Sequence, residues 1–78
     1  MVEFNNKRFG RCIILKEDKY FDYKLILLVN CSQYAIIYGF DKENSSWIDG
    51  HYYGKNIELA IKEYLIIYKE TMKKCEER

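Results

Sequence analysis

The chain has 78 residues, 49% of them hydrophobic and 17% aromatic, which supplies a core and argues against intrinsic disorder. Thirteen basic residues against twelve acidic leave a formal net charge of +1. A protein that held duplex nucleic acid mainly through phosphates would normally carry a basic excess, and the only local one is Lys7, Arg8 and Arg11. The length fits a single domain, residues 1–78, near the lower limit for folding without staples.

In chain order, Met1 to Lys7 reads as a short lead-in strand with a turn at Asn5-Asn6, outside the four main strands. Phe9 to Lys16, Lys24 to Asn30, Gln33 to Phe40 and Ser46 to Tyr53 are apolar or alternating and predict four strands. Glu17 to Asp22 is a charged connection that holds Tyr20 and Phe21. Cys31-Ser32 and Asp41 to Ser45 are the turns, and Gly50 interrupts the last strand.

From Ile57 to about Cys75 the period changes to 3.6. Ile57, Ala60, Ile61, Tyr64, Leu65, Tyr68, Met72 and Cys75 fall on one face. Asn56 suits an N-cap, and Glu58 early and Lys73 and Lys74 late suit the helix dipole. Leu59 and Ile66 point the other way, among charged residues. They are either scattered surface aliphatics or a small contact stripe. The expected fold is therefore α+β, an antiparallel four-stranded meander with one C-terminal helix packed on one face, ββββα. A helix of this length runs about 28 Å at 1.5 Å per residue, enough to cross such a sheet.

Strand register decides what the helix leaves open. With Asn30 opposite Gln33 and Phe40 opposite Ser45, one face collects Ile26, Leu28, Ala35, Ile37, Gly39, Ile48 and Gly50. The other collects Tyr23, Leu25, Leu27, Val29, Tyr34, Ile36, Tyr38, Trp47, Asp49, His51 and Tyr53. Small residues on the first face would let the helix sit close, leaving the aromatic face as a contact surface. Two alternatives stay open: the helix covers the aromatic face, or Tyr20-Phe21 and the N-terminal segment fold over the exposed one.

The residues expected to bind a partner are Tyr34, Tyr38, Trp47, His51 and Tyr53 on the sheet, with Leu59 and Ile66 as a second patch. His51 with Asp49 and Tyr53 is the natural general-base candidate, but no nucleophile or metal ligand stands at a telling spacing, and an open sheet face excludes water poorly. Cys12, Cys31 and Cys75 are odd in number and widely spaced, so free thiols are expected, with no disulfide, metal site or cofactor. Together with the lack of a signal-peptide core or a spanning apolar run, this points to a cytoplasmic protein. Aromatic side chains on a sheet can also stack the bases of single-stranded nucleic acid. Only Lys42 and Lys55 lie close in sequence to supply phosphate contacts, which favours a protein partner.

The run Trp47-Ile48-Asp49-Gly50-His51-Tyr52-Tyr53, then Asn56-Ile57-Glu58-Leu59-Ala60 and Tyr64, resembles a strand-to-helix junction of small proteins from Firmicutes phages and mobile elements. Anti-CRISPR and other anti-defence inhibitors share that size and style. The resemblance spans about a quarter of the chain and its residues are structural. It implies a non-enzymatic inhibitor that blocks a surface on a host defence complex, and a homodimer that buries the open sheet face is compatible with that expectation. The alternative expectation is a small single-stranded nucleic-acid-binding protein.

Overall fold

The computed structural model describes residues 2–76, with side chains through Lys74, so the expected helix position of Cys75's side chain lies outside the described residues. The strands are β1 (Val2–Asn6), β2 (Gly10–Asp18), β3 (Phe21–Leu28), β4 (Gln33–Tyr38) and β5 (Asp49–Tyr52), followed by α1 (Ile57–Glu76). They form one antiparallel sheet in the order β1-β2-β3-β4-β5. The meander and the C-terminal helix are those expected, but the sheet has five strands and not four. The lead-in segment is a full member, paired from Val2 opposite Ile14 to Asn6 opposite Gly10. Among the described residues no helix is long and apolar enough to cross a membrane.

Both expected turns are longer than two-period reading suggests. A 3-10 turn, Val29–Cys31, and Ser32 at φ 52° join β3 to β4, so Leu28 faces Gln33 where Asn30 was expected to. In the next pair Tyr38 faces Asp49, and Asp41 bridges Ser46 beyond the strand ends. Each register slides by two residues. An even slip leaves side chains on the same face, so most of the expected face sets survive.

The assignment of the helix does not. Ala60 and Tyr64 pack with Phe21, Leu25 and Ile36, flanked by Tyr23, Tyr34, Tyr53, Ile67 and Tyr68. The helix therefore covers the aromatic face, where the small Ala60 lets it sit against Phe21, Leu25 and Ile36. Phe21 anchors this layer, its ring 5.4 Å from Tyr64 and 5.2 Å from Tyr68 in edge-on contacts. Ile57 and Leu65, expected in the buried face, are exposed; Ile67 takes that role. Asn56 caps the helix as expected, its Oδ1 accepting the Leu59 N–H at 3.0 Å.

The aliphatic face closes on itself. Cys12, Ile14, Ile26, Leu28, Ala35 and Ile37 form a second buried cluster, covered by Phe4, Phe9, Phe40 and Trp47. β1 and β5 are opposite edges, which a flat sheet would hold about 19 Å apart at roughly 4.8 Å per strand. Yet Phe4 lies 4.8 Å from Phe40, and Phe9 lies 5.8 Å from Tyr52 on β5. The sheet must curl. Register shifts in β2 between Ile14 and Lys16 and between Lys16 and Asp18 provide the bend. The result is a trough with its apolar side inward and the helix on the convex back.

Three tyrosines couple this packing to pH. Burial, with Glu63 adding to it, raises the Tyr53 hydroxyl above its ordinary value of 10.0. Burial and then Asp18 raise Tyr64. The negative charge of Asp18, and the hydrogen bond that Tyr68 donates to it at 3.2 Å, raise Tyr68. The unfolded chain ionises these groups first, so their stabilisation is intact below pH about 10 and is lost as pH climbs through the folded values. Tyrosinate absorbance should then rise together with loss of far-UV CD. Titration of all eight tyrosines at their ordinary value with the fold intact would contradict this coupling.

Candidate functional site

The mouth of the trough carries the most interface-like surface. A cleft of about 340 Å³ lies between the β1–β2 turn and the segment leading into β5, lined among others by Arg8, Phe9, Trp47, Ile48, Asp49 and Tyr52. One asparagine shapes both sides. Asn6 Oδ1 accepts the N–H groups of Arg8 and Phe9 at 2.9 and 3.0 Å, folding the turn, and its Nδ2 donates to the Ser45 carbonyl at 2.9 Å. Gly10, at φ +77°, completes the turn in a conformation that suits glycine.

The opposite wall depends on Gly39. Its φ of +69° breaks the strand alternation after Tyr38. Phe40 and Trp47 turn into the trough, while Ile48 lies over Gly39 and is 80% exposed. Sequence alternation had placed Ile48 inward and Trp47 on the aromatic face, and both assignments are reversed. Trp47 stacks on Phe9 (5.7 Å, 13° between planes), meets Phe4 edge-on at 6.2 Å, and donates its Nε1–H to the Tyr52 hydroxyl at 3.2 Å. Gly50 makes room for that bond, since a Cβ there would come within 3.0 Å of the Tyr52 hydroxyl and 3.2 Å of the Trp47 Nε1.

The charges of the cleft are balanced. Arg8 lies 5.3 Å over the Phe9 ring and Asp49 lines the same space. Among the described residues neither makes an ion pair. The two pairs found are Arg11–Glu3 at 2.6 Å and Lys24–Glu17 at 3.2 Å. Asp49 Oδ1 instead accepts the Gly50 N–H at 2.8 Å, placing a carboxylate on the open edge of β5, where it discourages further strand pairing.

The expected site residues are dispersed. Tyr34 and Tyr53 are packed beneath the helix and do not form an open platform. Tyr38 and His51 remain exposed on neighbouring strands, with Tyr23 5.0 Å from Tyr38. Among the described residues no side-chain hydrogen bond orients His51 toward a reacting group. Leu59 and Ile66 stand on the outer side of α1, each 41% exposed. Trp47 alone joins the cleft. Arg8, Phe9, Ile48 and Tyr52 were missed, because the curl that gathers them leaves no short-range pattern; Gly39 and Gly50 were the only local signals.

Two other grooves are less specific. The larger, about 630 Å³ between β2 and α1, is crossed by the Tyr68–Asp18 hydrogen bond that docks the helix. A second, about 420 Å³, is walled by Glu17, Asp18, Lys19, Asp22 and Lys24, a solvated charged turn. Among the described residues no group of three or more potential metal ligands gathers. Cys12 is buried and Cys31 exposed, and burial pushes the Cys12 thiol above its ordinary value. Compared with protein-family models, curated proteins and solved structures, the chain matches none.

Proposed function

We propose that this chain is a non-enzymatic protein-binding module that occludes a surface of its target through the Trp47 cleft. One observation carries the reading: Ile48, 80% exposed, and Tyr52, 46% exposed, border an ordered unit of Phe9, Trp47 and Arg8. Trp, Tyr and Arg are the residue types that dominate interface energetics. Here stacking and hydrogen bonds hold the rings before any partner arrives, so little freedom is lost on binding. The junction from Trp47 to Tyr64, similar to that of phage and mobile-element proteins, points the proposal toward a host defence complex as target.

The test uses Ile48→Glu, a surface change expected to alter stability by about 0.5 kcal/mol or less. Tagged wild type should capture a partner from host lysate that the variant retains at least about tenfold less well, a loss of about 1.4 kcal/mol. Equal capture of the same proteins by both would overturn the assignment of the cleft.

Single-stranded nucleic acid is the second reading, favoured by one feature: folding brings Arg8 beside Trp47 and Tyr52, a cation that sequence proximity did not offer. Asp49 in the same cleft offsets it, which is why a protein partner is preferred. Binding of a short oligonucleotide that weakens steeply with salt would reverse that preference.

A further inference from the structure

The outer side of α1 is the other unpartnered surface. At about 100° per residue, Leu59 and Ile66 share a line opposite the buried Ala60 and Tyr64. Across the two middle turns the flanking charges are segregated. Lys62 and Lys69 lie about 50–70° to one side of that line, and Glu63 and Glu70 about 30–50° to the other. None of the four makes an ion pair among the described residues. An isolated surface helix gains most when opposite charges stand three or four residues apart along one side. Glu58 stands four residues before Lys62 and Lys74 four after Glu70, yet neither pair closes among the described residues, and the four middle charges are sorted by side.

We propose that a second copy of this chain packs against this surface, with the two α1 helices side by side and parallel. The orientation follows from symmetry. A two-fold axis parallel to the helices brings the lysine stripe of each copy against the glutamate stripe of the other, with Lys62 level with the other copy's Glu63 and Lys69 level with its Glu70. An axis perpendicular to them, giving antiparallel helices, sets glutamates against glutamates and lysines against lysines. Leu59 meets Leu59 and Ile66 meets Ile66 on the dyad, an isologous contact. Two apolar residues per chain make a small seam, so the dimer is weak and salt-sensitive. It lies on the convex back of the sheet and leaves both Trp47 clefts free. It is independent of the function proposed for them.

Sedimentation velocity over a concentration series, at low and high salt, reads the association. The wild type should shift from monomer to dimer, and more weakly at high salt. K62E/K69E and E63K/E70K, each folded by CD, should both remain monomeric where the wild type dimerises, since each sets like stripes together. An equimolar mixture of the two should restore dimer as a heterodimer. L59E/I66E should remain monomeric. A wild type monomeric at every concentration, either charge variant dimerising as well as the wild type, a mixture that stays monomeric, or an L59E/I66E variant that still dimerises would each overturn the proposal.

Discussion

Phe21→Ala is expected to cost about 3–5 kcal/mol of folding stability. Phe21 is 3% exposed and touches Tyr23, Tyr64 and Tyr68, so it joins β3 to two turns of α1. Its loss would leave a void that neighbouring rings, themselves fixed by the sheet and by the Tyr68–Asp18 hydrogen bond, cannot fill. At about 0.05–0.15 kcal/mol per residue, the whole domain has roughly 4–12 kcal/mol of stability. One substitution can therefore remove most of it. Urea unfolding followed by far-UV CD measures the change. A loss under about 1 kcal/mol would mean that the helix does not depend on this layer.

Trp47→Ala is expected to cost about 3 kcal/mol, the low end for a tryptophan because the side chain is only half-buried. The cost arises in the trough: the stack on Phe9, the edge contact with Phe4 and the bond to Tyr52 all go. Trp47→Phe keeps a ring and loses the donor, at about 0.5–1.5 kcal/mol. The order Ala worse than Phe, and Phe close to wild type, identifies a packing role. If both variants melt like the wild type, Trp47 does not seal the trough and the cleft has no fixed wall. A stability loss in Trp47→Ala also means that its effect on binding must be read beside Ile48→Glu, which leaves the trough intact.

Trp47 shows where the sequence is legible and where it is not. Period-two alternation gave the correct faces for Ile26, Ile37, Tyr34 and Ile36 even with both turns misjudged, because each register slipped by an even number. The 3.6 period gave the span of α1 and the Asn56 cap almost unaided. Alternation failed in the connection from Gly39 to Ile48, where positive φ at Gly39 and at Ser45 breaks the extended pattern before Phe40 and before Trp47 and Ile48. No pattern rule reveals either dihedral angle from the neighbouring residues. The fifth strand was ambiguous for another reason: Val2 to Asn6 is short and half polar, and its pairing is secured by Phe4 reaching Phe40, a contact made 36 positions away. Which face the helix covers depended on the same long-range closure. Once the trough is sealed by its own aromatics, only the aromatic face is left for α1.

That closure also moves the proposed contact from the open aromatic sheet, where alternation alone would put it, to the cleft at the trough mouth. The Trp47 indole reports on it directly through proton–proton nuclear Overhauser effects. Cross-peaks from the indole N–H and ring to Phe4, Phe9 and Tyr52, with none to Tyr34 or to α1, are the predicted result. Cross-peaks from Trp47 to Tyr34 or Tyr38, with none to Phe9, would contradict it: the tryptophan would then lie on the aromatic face, and no cleft of this kind would exist.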